Sequence, residues 1–280
     1  VAFSDDGSPV YDAELMRRAF EYCRMFDKPI LAHEEVLELS HGGVMNEGIV
    51  SMSLGLEGMP AAAEEVMIGR DIALADVTGG RLHVMHVSTA QGVDLIREAK
   101  SRGIRVTAEA CPHHFTLTDE SLRGFDSNFK MSPPLRTAKD VEGILAGLAD
   151  GTIDCIATDH APHAPEKKLL ELDRAPFGIL GLETAVGLSV TRLIESGRID
   201  WPRFVEAISL LPARILGINR GTLRPGAIAD VTLIDPSHEW QVDVNSFASK
   251  SVNSPFDGWT LRGRAVATIV HGKVKYRLSS

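Results

Sequence analysis

Short apolar runs alternate with longer amphipathic stretches as far as residue 219. The runs Val1–Ser4, Pro29–His33, Arg81–His86, Arg105–Ala110 and Asp154–Thr158 are rich in apolar residues. That is the texture of parallel strands covered on both faces. Between them, Asp12–Phe26 places Leu15, Met16, Ala19, Phe20 and Cys23 at spacings of three and four, which predicts an amphipathic helix. Ala61–Val77, Ala90–Ser101, Ala138–Ala149, Thr184–Glu195 and Trp201–Leu216 read the same way. Gly103, Gly151 and Gly197 stand just past helix ends, where a left-handed residue caps the last turn.

Alternating strand and helix predicts parallel strands joined by right-handed crossovers, in a (β/α)8 barrel or an open doubly wound sheet. The chain has no GxGxxG and no P-loop, which disfavours a nucleotide-binding sheet. Only five such strands are visible, and a barrel needs eight. Three long loops, Glu34–Pro60, Cys111–Arg136 and His160–Leu182, all follow strands. They are therefore expected at the C-terminal edge of the sheet, where barrel active sites sit. Beyond residue 219 the texture changes to alternating β segments with glycine turns, as in "GTLRPGAIADVTLIDP" and "RGRAVATIVHGKVKY". Two domains are expected: a barrel over 1–219 and a small β domain over 220–280.

Composition narrows the function. A net charge of -9 over 280 residues argues against a nucleic-acid partner. No apolar run is long enough to cross a membrane, and no signal peptide is visible. The three cysteines, Cys23, Cys111 and Cys155, are widely spaced, which fits a reducing cytoplasm better than a disulfide framework.

Four strand ends carry residues of metal-ligand type: Asp6, His33, His86 and Asp159. Side chains at i, i+2 and i+4 of a strand share a face. The sets Ala2–Ser4–Asp6, Pro29–Leu31–His33, Leu82–Val84–His86 and Cys155–Ala157–Asp159 each end in one such residue. If these faces point into a barrel, four ligands meet at its mouth, and His83 falls on the opposite, helix-packed face. Taken singly, each residue has a bland reading: a strand-end histidine is more often structural, and Asp5 or Asp6 could make the turn in "SDDGSP". Four coincidences in successive units favour a metal site. Two imidazoles with two carboxylates suit Zn²⁺. In "CPHHF", adjacent His113 and His114 place one ring on each face, so at most one looks into the site. His160 is expected to support its loop, and Lys167 and Lys168 to be solvated loop charges.

"TDHAPH", "HVST", "SPPLR", "FGILGLETA" and "GTLRPGAIADVTLID" together resemble the class I bacterial dihydroorotases of the amidohydrolase superfamily, over essentially all of the chain. The resemblance implies a distorted (β/α)8 TIM barrel, here strands four to eight, with a small β-sandwich-like domain built from both chain ends. It implies zinc, one or two ions per complete site, and reversible hydrolysis of L-dihydroorotate to N-carbamoyl-L-aspartate in pyrimidine biosynthesis. By position, Asp6 resembles a metal-bridging carboxylate, and His33 and His86 resemble the ligands of the second metal. Asp159 resembles a ligand that also shuttles the proton. His163 resembles a contact to the substrate carboxylate, and Phe177 and Gly178 a backbone contact to the substrate ring. The resemblance makes the protein a homo-oligomer and aspartate transcarbamoylase a candidate partner.

Two departures accompany it. The family's first strand carries HxHxR, and none of the ten histidines here lies in an HxH. The chain therefore reads as the C-terminal part of such an enzyme, with little activity expected from residues 1–280 alone. Ser132 stands where many relatives have a substrate-binding asparagine. The alternatives are a hydantoinase or allantoinase, disfavoured by Asp6 in place of a strand-end lysine, and a non-catalytic subunit that supports aspartate transcarbamoylase assembly.

Overall fold

The computed structural model describes residues 1–278. Five parallel strands form the main sheet in the order β1 (Phe3–Ser4), β2 (Pro29–Ala32), β5 (Arg81–Val84), β6 (Val106–Ala110) and β7 (Cys155–Ile156). Between β2 and β5 the long loop makes its own parallel pair, β3 (Met45–Asn46) and β4 (Gly58–Met59). Each predicted strand is present and shorter than its apolar run, and in β2, β5 and β7 the backbone leaves the ladder before the candidate ligand is reached.

Helices Ala13–Arg24, Ala62–Thr78, Ala90–Ser101 and Ala138–Asp150 pack on one face of the sheet. The first is capped by Asp12, whose carboxylate accepts from Leu15 N–H at 2.8 Å, and it buries Met16, Phe20 and Cys23. Leu15, predicted on the apolar face, is exposed. The sheet offers these helices Ile30, Ala32, Leu82, Val84, Val106, Ala108 and Ala110.

That face corrects the strand alternation at β5. Leu31 pairs with His83 and His83 with Thr107, so His83 lies on the barrel-facing side with Leu31. Its ring sits 2.8 Å from Thr107 Oγ1 and 3.0 Å from Glu109 Oε2. Leu82 and Val84 instead face the helices. His86 reaches the mouth only because the strand ends at Val84 and the backbone turns over at His86, with φ +33°.

Close packing of two helices makes a glycine informative. A Cβ on Gly143 would lie 2.6 Å from Ala90 Cβ and 2.8 Å from Ala90 Cα. Alanine normally stabilises a helix interior by about 1 kcal/mol over glycine. Here the sign is expected to reverse: Gly143→Ala should lose roughly 1–3 kcal/mol through overpacking against backbone. Denaturant melts measure it, and a variant more stable than the parent would refute it.

The predicted single helices near 184–195 and 201–216 are interrupted. Ala185–Ser189 runs into a π-helical stretch at Val190–Ile194, and Trp201–Val205 into another at Glu206–Leu210 before Leu211–Leu216. Pro212 explains the second: it has no N–H to donate and its ring crowds the carbonyl four residues back.

The chain ends in one antiparallel sheet, ordered β10 (Lys273–Arg277), β9 (Thr260–Val270) and β8 (Val231–Gln241). It packs on the 185–194 helix, where a Cβ on Gly187 would meet Leu261 at 3.0 Å and Trp240 at 3.3 Å. The segment between β8 and β9 turns back toward the main-sheet loops and buries Asn253 and Phe256 there.

Candidate metal centre

Asp5 and Asp6 divide two tasks. Asp5 makes the turn: its carboxylate accepts from Val10 N–H at 2.9 Å and from His33 N–H at 2.8 Å, tying the end of β1 to the end of β2. Asp6 is left to face the mouth. Its Oδ1 lies 3.8 Å from His33 Nδ1 and 3.7 Å from His86 Nε2, and those two ring nitrogens are 3.1 Å apart. Three donor atoms from three successive strand ends thus converge.

Glu35 supplies what the sequence reading missed. Its carboxylate is 2.9 Å from His33 Nε2, which holds that nitrogen as the N–H and turns the Nδ1 lone pair toward His86. The hydrogen bond from His33 keeps the Glu35 carboxyl below its ordinary range. The contact with His86 does the same for Asp6. Burial opposes charge on His86, but Asp6, then Asp159 and Glu109, outweigh it and raise its pKa.

Asp159 lies across the same cleft, with Ser132, Phe177 and Gly178. The cleft has a volume of about 510 Å³. Burial raises the Asp159 carboxyl above its ordinary range; His86 opposes this, and Asp6 and Glu109 reinforce it. Like His86, Asp159 has a left-handed backbone, φ +44°. Aspartate tolerates that conformation better than most residues, and such strain concentrates at functional sites.

His163 adjoins the Phe177–Gly178 wall of the cleft. Its Nε2 is 2.7 Å from the Phe177 carbonyl, and a Cβ on Gly178 would meet that nitrogen at 2.7 Å. It therefore braces the Phe177–Gly178 backbone. His160 behaves as expected: its Nδ1 accepts from Gly181 and Leu182 N–H at 3.2 and 3.3 Å. Asn253, far along the chain, was not foreseen. Its carbonyl oxygen accepts from His163 N–H at 3.0 Å, and its amide donates to the carbonyls of Ala161 and Gly178 at 2.9 and 3.1 Å.

Lys168 corrects its solvated reading, being only 8% exposed. Its ammonium donates to the carbonyls of Pro176 and Gly178 at 3.0 and 3.2 Å. Lys130 donates to Leu172 and Asp173 and lies over the Phe177 ring at 4.6 Å. Two buried ammoniums thus clamp the wall of the cleft. Burial first, then the Lys130 charge, lowers Lys168 to about 8, with Asp126 opposing. An unfolded lysine titrates near roughly 10.4. Between those values the unfolded chain binds the proton more tightly, so this group makes native stability rise with pH from about 8 to about 10. The melting temperature of the parent should therefore gain on that of Lys168→Met across this range. Parallel curves would refute it.

The amidohydrolase family model matches residues 1–275. The chain belongs to the amidohydrolase family. It is 54% identical over 277 residues to a dihydroorotase from Citrifermentans bemidjiense, covering 99% of this chain and 65% of that one. It is 58% identical over 274 residues to a dihydroorotase from Pelotomaculum thermopropionicum, covering 98% and 64%. The chain thus spans about 65% of the length of these curated relatives. Among solved structures it is similar to an L-hydantoinase (dihydropyrimidinase) from Arthrobacter aurescens, with TM-score 0.87, 29% identity, and 100% and 64% of the two chains covered. A D-hydantoinase from Thermus sp. gives TM-score 0.85 and 29% identity, over 96% and 61%. The fold is therefore the amidohydrolase TIM barrel type, with β1, β2, β5, β6 and β7 as its strands here and a separate antiparallel C-terminal sheet.

Amidohydrolases generally use a metal, and the residues fit one. Two imidazole nitrogens facing each other at 3.1 Å, one with its lone pair fixed by Glu35, need a cation or a shared proton between them. The nearby Asp6 carboxylate favours the cation.

Proposed function

We propose that this chain carries the catalytic wall of a zinc-dependent dihydroorotase, which hydrolyses the ring amide of L-dihydroorotate reversibly to N-carbamoyl-L-aspartate in pyrimidine biosynthesis. The observation that carries the reading is the convergence of Asp6, His33 and His86 beside Asp159, in a cleft large enough for a small cyclic amide. Identities of 54–58% to dihydroorotases, against 29% to hydantoinases, support dihydroorotate over a hydantoin.

Asp6, His33 and His86 would hold zinc, with Asp159 as a further ligand. A bound zinc ion supplies Lewis acidity at the amide carbonyl and activates water at neutral pH. Asp159 accepts the proton at its carboxylate and returns it to the ring nitrogen as the C–N bond breaks. Burial raises its carboxyl above the ordinary carboxylate range. Ser132 and the backbone at Phe177 and Gly178 hold the ring. His163 positions that backbone through the Phe177 carbonyl, and its contact to the substrate carboxylate belongs to the same proposal.

A homo-oligomer, and a complex with aspartate transcarbamoylase, remain part of the proposal. Exposed Tyr11, Tyr22, Met25 and Phe26 around the first helix offer apolar surface for such contacts. So does a cytoplasmic location, which three buried free cysteines favour. Among the described residues no helix is long and apolar enough to cross a membrane.

A substrate panel tests the activity. Hydrolysis of dihydroorotate should exceed that of hydantoin, dihydrouracil and allantoin in kcat/KM by orders of magnitude. Preference for any of the latter would replace dihydroorotase with that activity.

A further inference from the structure

A second group of donors lies in the turn after β6, apart from the catalytic cluster. Cys111, His113 and His114 are all buried, at 0%, 1% and 2% exposure. One donor atom from each lies within 4.8 Å of the other two. His114 Nε2 donates to the Pro133 carbonyl at 2.9 Å, so its Nδ1 carries the lone pair. That Nδ1 and His113 Nε2 are buried and have no hydrogen-bond partner.

Burying two neutral imidazoles with an idle ring nitrogen each is costly, at about 1–3 kcal/mol per unsatisfied group. Burial lowers His114 to about 3 and His113 well below its ordinary range, so both rings are neutral and ready to coordinate. One thiol and two neutral imidazoles form a donor set for a borderline-soft divalent cation and a poor one for Mg²⁺ or Ca²⁺.

We propose that Cys111, His113 and His114 form a structural zinc-class site, distinct from the Asp6–His33–His86 centre. Zn–N bonds of about 2.0 Å and Zn–S bonds of about 2.3 Å put donors roughly 3.3–3.5 Å apart, so the trio closes by about 1.5 Å at most on binding. Binding converts the Cys111 thiol to a thiolate and releases one proton per metal. The ion locks the 111–117 turn, and through the His114 to Pro133 bond it steadies the strap that carries Ser132 into the cleft.

Sulfur distinguishes the two centres, because the catalytic donors include no thiol. Cobalt-loaded protein should show a near-ultraviolet thiolate-to-cobalt charge-transfer band. The band should vanish in Cys111→Ser and survive in Cys155→Ser. In the zinc form of the unmodified protein, X-ray absorption should find a sulfur neighbour near 2.3 Å. That measurement decides the matter even if Cys111→Ser fails to fold. A folded, metal-loaded protein with neither the band nor the sulfur neighbour overturns the proposal. So does a band that depends on Cys155.

Discussion

Asp159→Asn should lower kcat for dihydroorotate by about 10²–10⁴-fold, the usual contribution of a positioned acid–base group. Asparagine keeps the shape and the left-handed backbone that this position requires, so the melting temperature should scarcely move. What it loses is the capacity to take and return a proton. The variant also separates the two roles proposed for Asp159. If the carboxylate only moves the proton, elemental analysis should find the parent's metal content with kcat collapsed and KM little changed. If it also binds metal, content should fall as well. Turnover within about tenfold of the parent would remove Asp159 from the mechanism altogether.

Arg136→Ala is the largest expected stability effect. The Arg136 guanidinium is 3% exposed and ties two loops to the Ala62–Thr78 helix. It donates to Asn46 Oδ1 at 3.1 Å and the Met59 carbonyl at 2.6 Å in the 34–60 loop. It also donates to Ser88 Oγ at 3.2 Å after β5, and lies 3.8 Å from Glu64. Glu64 itself accepts from the backbone N–H groups of Ser88 and Thr89, and Asn46 donates on to Asp119 at 2.9 Å. Removing the cation leaves the buried Glu64 carboxylate without its counter-charge and several acceptors without their donor, which costs about 3–5 kcal/mol. For a chain of this size that is a fall of roughly 10 °C in melting temperature. Arg136→Lys should recover little, since one ammonium cannot span the same fork of acceptors. A loss under about 1 kcal/mol in Arg136→Ala would show that the loops hold together without it.

The barrel elements were readable because apolar spacing is a local property, and so were the strand-end residues. Where the reading failed, the cause was backbone geometry or distance along the chain. His83 was put on the wrong face because β5 ends two residues before His86 and the turn there breaks the alternation that links the two. Lys168 looks like any loop lysine, and only the folded 172–178 segment encloses it in carbonyls. Glu35 was hidden by its neighbour Glu34 in an acidic pair. His163, placed at the substrate by resemblance, is also bonded to the Phe177 carbonyl, a contact that nothing local in the sequence signals. Asn253 had no signal at all, since its partners lie about ninety residues away.

Asn253 also bears on how such a protein can be recombined. A division at residue 220, natural by composition, assigns 251–254 to the C-terminal unit, yet Asn253 is bonded into the loop that carries His163 and Gly178. The terminal sheet is therefore not an interchangeable module. A chimera that takes its C-terminal sheet from another amidohydrolase inherits a foreign strut beside its own cleft. Crossovers that keep 160–181 and 251–256 from the same parent are the ones that preserve the pocket.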